Sequence, residues 1–134
     1  MRTVLTTVAS AVLGFLACLV VYFAFRPTDR LLDAPVFPLV RTIVEGSYLL
    51  YAAPLLFALG LGLGLFDARR PWLMGLSTMA LFVLAAIVEM QRDPTSHNLW
   101  PFEFAAYAVF ALPAVAGVWV ARLVGPRLQR PSGQ

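Results

Sequence analysis

Glu45, Glu89, Asp93, His97 and Glu103 are the residues of this chain whose types and spacing together could hold a metal ion or move a proton. Three of them lie in one polar segment, Gln91 to Glu103 (Q-R-D-P-T-S-H-N-L-W-P-F-E), which contains the only histidine and separates two long apolar runs. Carboxylates with one imidazole suit a divalent ion such as zinc, manganese or iron. A carboxylate near a histidine can also do general acid and base work on a lipid-like substrate, or relay a proton or cation. Tyr48, three residues after Glu45, and Tyr107, four after Glu103, fall on the same helical faces as those glutamates and can donate hydrogen bonds to them. Arg41 and Arg92 can neutralise Glu45, Glu89 and Asp93, and Asn98 adds a polar side chain beside His97.

Each of these residues also has a purely structural reading. Asp93-Pro94-Thr95-Ser96 is a good turn sequence, with Asp first and Pro second. Glu103 suits the first turn of a helix, where a carboxylate meets the helix dipole and unsatisfied N–H groups. One histidine without a second histidine or a cysteine nearby is a weak metal signal. The signatures of other chemistries are absent: the sequence has no H-E-x-x-H, no phosphate-cradling glycine loop followed by Lys and Ser or Thr, and no G-x-S-x-G. A haem held by two histidines of this chain is excluded by the histidine count.

The elements that must position these residues are apolar. The 134 residues are 60% hydrophobic and 13% charged, with mean hydropathy +0.81, which is bilayer composition. Residues 3–25, 46–66, 71–88 and 104–121 carry no Asp, Glu or Arg, and the chain has no lysine. Each reaches roughly the 18 to 20 residues that cross about 30 Å of hydrocarbon. The reading is one transmembrane domain over 1–134, an all-α integral membrane protein built as a four-helix, up-down-up-down transmembrane bundle with a polar extracytoplasmic cap. Helices are expected at about 4–25, 38–66, 71–90 and 101–124, with a polar loop at 91–100. The first run is too long for a signal-peptide core and is taken as a retained helix. Pro54 and Pro113 predict bends, Gly125-Pro126 a stop, and 125–134 a short mobile tail.

All ten basic residues are arginine, scattered at the expected helix ends, so the net charge of +3 is read as topology signal and not as a nucleic-acid groove. Six arginines (Arg2, Arg69, Arg70, Arg122, Arg127, Arg130) fall on one side and four (Arg26, Arg30, Arg41, Arg92) on the other. The positive-inside rule then places both termini in the cytoplasm and the protein in the plasma (inner) membrane as a multi-pass chain. Six of the seven acids fall on the outer side. Measured from the inner markers at about 1.5 Å per residue, Glu45, Glu89 and Glu103 reach heights of roughly 28 to 33 Å, one level at the outer edge of the hydrocarbon. Ionisable groups so placed are costly and normally face the bundle interior in pairs.

Small residues supply the remaining signal. Gly46, Gly60 and Gly64 share a face of the second helix, Gly60 and Gly64 as a G-x-x-x-G pair, and Gly75, Thr78, Ala85 and Glu89 share a face of the third. Such faces let helices approach closely, inside one bundle or in a homo-oligomer. Cys18, alone in an apolar run, reads as a small packing residue. The sequence therefore points first to a small accessory, assembly or self-associating subunit, in a homo-oligomer or a larger membrane complex, leaning away from an enzyme, with no certain cofactor and a divalent metal as the candidate. The alternative is a membrane-embedded metal-dependent or acid-base enzyme using the Glu/Asp/His cluster, and a proton or cation transporter comes third.

Overall fold

The computed structural model of the protein describes residues 2–25, 48–66, 70–92 and 100–128. These residues are helical apart from short turns, and no strand occurs among them. The helices are α1 (Arg2–Phe25), α2 (Tyr48–Tyr51), α3 (Ala53–Phe66), α4 (Pro71–Ser77), α5 (Ala80–Arg92), α6 (Trp100–Phe110) and α7 (Leu112–Leu128). Two helical stretches are long and apolar enough to cross a membrane, Thr3–Ala24 with 22 residues and Pro101–Gly125 with 25. The pair α4 and α5 makes a third if a bent span is counted as one, and α3 is apolar but shorter.

The interruptions have local causes. Pro54 has no N–H to give the carbonyl of Leu50, and the helix loosens into a turn at Ala52 while the Leu56 N–H still reaches Ala52 O at 2.8 Å. Pro113 does the same at Ala111, with ladder bonds kept on either side, Ala111 N–H to Tyr107 O and Val115 N–H to Ala111 O, both 3.0 Å.

The large bend is elsewhere, at a place without proline. The third apolar run, expected as one helix over 71–90, turns by 49° between α4 and α5. At the bend the Thr78 N–H bonds Gly75 O (3.2 Å) and the Met79 N–H bonds Leu76 O (3.1 Å), three-residue closures in place of four. The side chains reinforce them, since Thr78 Oγ1 donates to the same Gly75 carbonyl at 2.6 Å and Ser77 Oγ lies 2.8 Å from Met74 O. Hydroxyls that bond back to the preceding turn compete with the ladder and bend helices. The expected stop at Gly125-Pro126 is also displaced, because α7 continues through both residues to Leu128. Proline's fixed φ is compatible with a helix, and so near the helix end its missing N–H removes only one of the last ladder bonds.

The buried core draws on every long element: Cys18, Val21 and Tyr22 from α1, Leu56 from α3, Phe82 and Ala86 from α5, Tyr107 from α6 and Ala114 from α7. Leu49 and Ala52, from α2 and the turn after it, also belong to it, as do Ala17, Met79 and Ala111. Phe15, Phe82 and Tyr107 form a file of rings, with centroids 5.2 and 6.0 Å apart. Outside, large apolar side chains are the rule, including Leu5 at 71% exposure, Phe66 at 82% and Leu123 at 67%. A water-soluble domain rarely spreads so much contiguous apolar surface. Such surfaces suit a hydrocarbon surrounding, in keeping with the apolar spans.

Candidate functional site

Two polar groups of this molecule are described side chain by side chain, one at the α6 end and one at mid-height. At the α6 end, Glu103 sits in the first turn of the helix and Tyr107 one turn later, four residues being the spacing that stacks side chains on one face. The Tyr107 hydroxyl donates to Glu103 Oε1 at 2.5 Å. Tyr107 is 1% exposed, between Phe82 and Phe104 (centroid distances 6.0 and 6.5 Å), so its ring orientation is fixed by packing before the hydroxyl meets the carboxylate. Glu103 is half-buried. A carboxylate at a helix N-terminus is favoured by the dipole and by free N–H groups, and a buried phenol needs an acceptor, so each group satisfies the other. Chemically the pair can hold a proton between two oxygens or present one carboxylate oxygen to a cation.

The rest of the sequence-predicted cluster falls largely outside this description. Glu45, Asp93, His97, Asn98, Arg41 and Gly46 lie outside the described residues, as do the side chains of Glu89, Arg92 and Tyr48. The helical backbone at Glu89 is described. Phe82 faces Tyr107, so Glu89, seven residues after Phe82, and Glu103, four before Tyr107, stand at the same end of the α5–α6 pair, within about one helical turn in height. Among the described residues no group of three or more His, Cys, Asp or Glu could hold a metal ion.

The mid-height group is one the sequence reading passed over except for Thr78. Ser10 and Thr78 are fully buried and Ser77 nearly so. Ser10 Oγ and Ser77 Oγ are 2.5 Å apart, joining α1 to the bend of the third run. Ser10 also has the carbonyls of Thr6 (3.0 Å) and Thr7 (2.9 Å) within reach. Two hydroxyl protons thus serve one inter-helix bond and one bond to a helix carbonyl, whichever serine donates across. Beside them α1 rests on the bend without side chains between, because a Cβ on Gly14 would stand 2.3 Å from the Thr78 carbonyl oxygen. From the other side Gly75 accepts Val115 of α7, whose Cα would be 2.6 Å from an added Cβ. The available signal was the Ser77-Thr78 pair in the middle of an apolar run, facing a second helix whose own mid-run polar residue is Ser10.

Gly60 and Gly64 of α3 face α7. A Cβ on Gly60 would meet Ala114 O at 2.1 Å, one on Gly64 would meet Ala121 Cβ at 2.6 Å, and one on Gly117 would meet Phe57 O at 2.2 Å. The partners advance together along both helices, so α3 and α7 run in the same direction, whereas α4–α5 runs against α6–α7 (Gly75 on Val115, Phe82 on Tyr107). The α1 partners, Ser10 on Ser77 and Gly14 on Thr78, advance with the third run.

No protein-family model, curated protein or solved structure matches this chain.

Proposed function

We propose that the chain is a multi-pass protein of the plasma (inner) membrane, a four-helix, up-down-up-down bundle with the α1 start and the α7 end on the cytoplasmic side, acting as an accessory, assembly or self-associating subunit. The observation that carries this reading is the distribution of side chains. Small residues and hydroxyls are spent on helix contacts inside the chain, at Gly14, Gly60, Gly64, Gly75 and Gly117, while the exterior is lined by large apolar groups. Close backbone approach of this kind suits helix association in lipid and leaves little space for an enclosed substrate. The helix directions read from the contacts support the up-down-up-down arrangement. The partner is another membrane-embedded surface, met through the apolar exterior or the polar end that carries Glu103.

Native mass spectrometry from mild detergent tests the reading. A defined larger species, homo-oligomer or complex, is expected, and a strictly monomeric chain without partner would count decisively against it. Orientation is tested by a cysteine placed at Thr95 in a Cys18→Ala background. Labelling only from the cytoplasmic side would reverse the topology proposed here.

The Tyr107–Glu103 pair keeps one second reading in view, a metal-dependent or acid-base site completed by Glu45, Glu89, Asp93 and His97. Metal analysis of the purified protein beside Glu89→Gln and His97→Ala decides it. A stoichiometric ion in the wild type that both variants lose would favour the metal-dependent form of this reading, and a metal-free wild type would remove that form.

A further inference from the structure

One end of the molecule collects guanidinium groups with tryptophan beside them. Arg122 of α7 lies over the ring of Trp119, its Cζ 5.3 Å from the centroid. Arg70 precedes the first residue of α4 and is exposed, and Trp72, two residues on, is 55% exposed. These positions share a level. Val115 packs on Gly75, and Arg122 lies seven residues beyond the former while Arg70 lies five before the latter, heights of about 11 and 8 Å from that contact. The Ser10–Ser77 bond sets α1 in the same register, so the backbone of Arg2, eight residues before Ser10, ends at the height of Arg70. The α7 backbone carries Arg127 past this level. Among the described residues the one carboxylate side chain is Glu103, in the first turn of α6 at the other end.

We propose that this end binds the phosphate headgroups of anionic phospholipids, with Arg122 and Arg70 as the guanidinium contacts; the proposal rests on the membrane reading given above. The chemistry is specific to these residue types. A guanidinium is planar, weakly hydrated and forked to match phosphate oxygens two at a time. A guanidinium lying over an indole face keeps its N–H donors free for other partners, so Arg122 is held at the depth where tryptophan rings settle, the boundary between headgroups and hydrocarbon. Each basic residue close to an anionic surface contributes about a fivefold preference for it.

The full-length chain in mild detergent is offered equal amounts of phosphatidylglycerol and phosphatidylcholine, and retained lipid is counted by native mass spectrometry. The wild type is expected to keep phosphatidylglycerol preferentially. Arg122→Gln and Arg70→Gln should each reduce that preference about fivefold, while Arg26→Gln, just beyond the opposite end of α1, should leave it unchanged. Both targets are exposed, and unchanged unfolding midpoints confirm that the fold is intact. The proposal is overturned by a wild type without preference, by an equal loss in Arg26→Gln, or by displacement of the lipid with excess inorganic phosphate, which would assign a free-anion site. Alkaline carbonate extraction separates the two levels of failure. A chain released from membranes by carbonate overturns the membrane reading itself, whereas an embedded chain without lipid preference overturns only the headgroup site.

Discussion

The α3–α7 seam and the α1–α4 seam both bring helix backbones into contact through glycine, yet they are built differently. Along α3–α7 the contact is dry and repeated, with Gly60, Gly64 and Gly117 meeting Ala114, Val118, Ala121 and the backbone of Phe57 and Leu61 over two turns. Between α1 and the end of α4 a single glycine, Gly14, meets a single residue, Thr78, through its carbonyl oxygen, Cα and Cβ, and the Ser10–Ser77 hydrogen bond stands next to it. Lipid tails are as apolar as leucine, so neither seam draws on the hydrophobic effect as a soluble core would; dispersion contacts and hydrogen bonds must hold them. A long, straight contact supplies the first in quantity. A helix bent by 49° cannot lie along a straight α1 for long, and there the second kind of contact is added where the helices cross.

If the dry seam dominates, filling it should do the most damage. In Gly60→Val the new Cβ would lie 2.1 Å from the Ala114 carbonyl oxygen, a backbone atom that cannot turn aside. The helices must separate, and we expect a loss of about 3 kcal/mol or more, read as a shifted midpoint in detergent unfolding followed by circular dichroism. Gly62→Val is the internal control, since nothing lies within 4 Å of a Cβ at that position. It should be neutral or stabilise by up to about 0.5 kcal/mol, from the gain in helix propensity over glycine. If Gly62→Val proved the more damaging of the two, the α3–α7 seam would not be the one described. Gly14→Ala comes next. Its methyl meets Thr78 O at 2.3 Å, but contact with one residue can be relieved by tilting α1, so the expected loss is about 1–3 kcal/mol, smaller than at Gly60.

How much of this could be read from sequence divides along the same line. The G-x-x-x-G spacing of Gly60 and Gly64 and the breadth of the apolar runs are periodic features, and helical geometry turns periodicity into faces directly. The Glu103–Tyr107 spacing is legible for the same reason, because both residues ride on one helix. The bend at Thr78–Met79 was hidden because proline is the conspicuous breaker; Pro54 and Pro113 drew the expectation of bends, and each coincides with a break in the helix, at Ala52 and at Ala111. At Thr78 the cause is two adjacent hydroxyls whose preference for back-bonding becomes decisive only when α1 stands beside them. Which helix Gly14 or Gly117 would touch depends on the arrangement of helices in space, which no spacing within a single run encodes. The proposed carboxylate–histidine layer depends on loops as well as helices, and Glu45, Asp93 and His97 lie outside the described residues.

Tyr107→Phe measures a polar contact that crosses no seam. It removes the donor to Glu103 while keeping the buried ring and its contact with Phe82. A loss of about 1–2 kcal/mol is expected, the usual worth of a buried hydrogen bond to a carboxyl group. Combined with Glu103→Leu, which removes the acceptor where glutamine would keep an amide oxygen for it, the two losses should be strongly non-additive, because either change alone abolishes the same bond. Additive losses would mean that each side chain is held chiefly by other partners.

The smallest effect belongs to the hydrogen bond that first marks the α1–α4 seam as different. In a cycle of Ser10→Ala, Ser77→Ala and the double variant, the coupling energy should be near 0.6 kcal/mol, the average for hydrogen bonds between membrane helices. The reason is the supply of local acceptors. With Ser77 gone, Ser10 can still donate to the Thr6 or Thr7 carbonyl; with Ser10 gone, Ser77 keeps Met74 O. Neither hydroxyl is stranded in an apolar interior, so the bond contributes only the difference between a partner on the next helix and one on its own. A coupling well above about 1.7 kcal/mol, the upper end for such bonds, would reverse the comparison. The hydroxyl pair would then be the principal tie between α1 and the bent span, with the Gly14 contact its consequence.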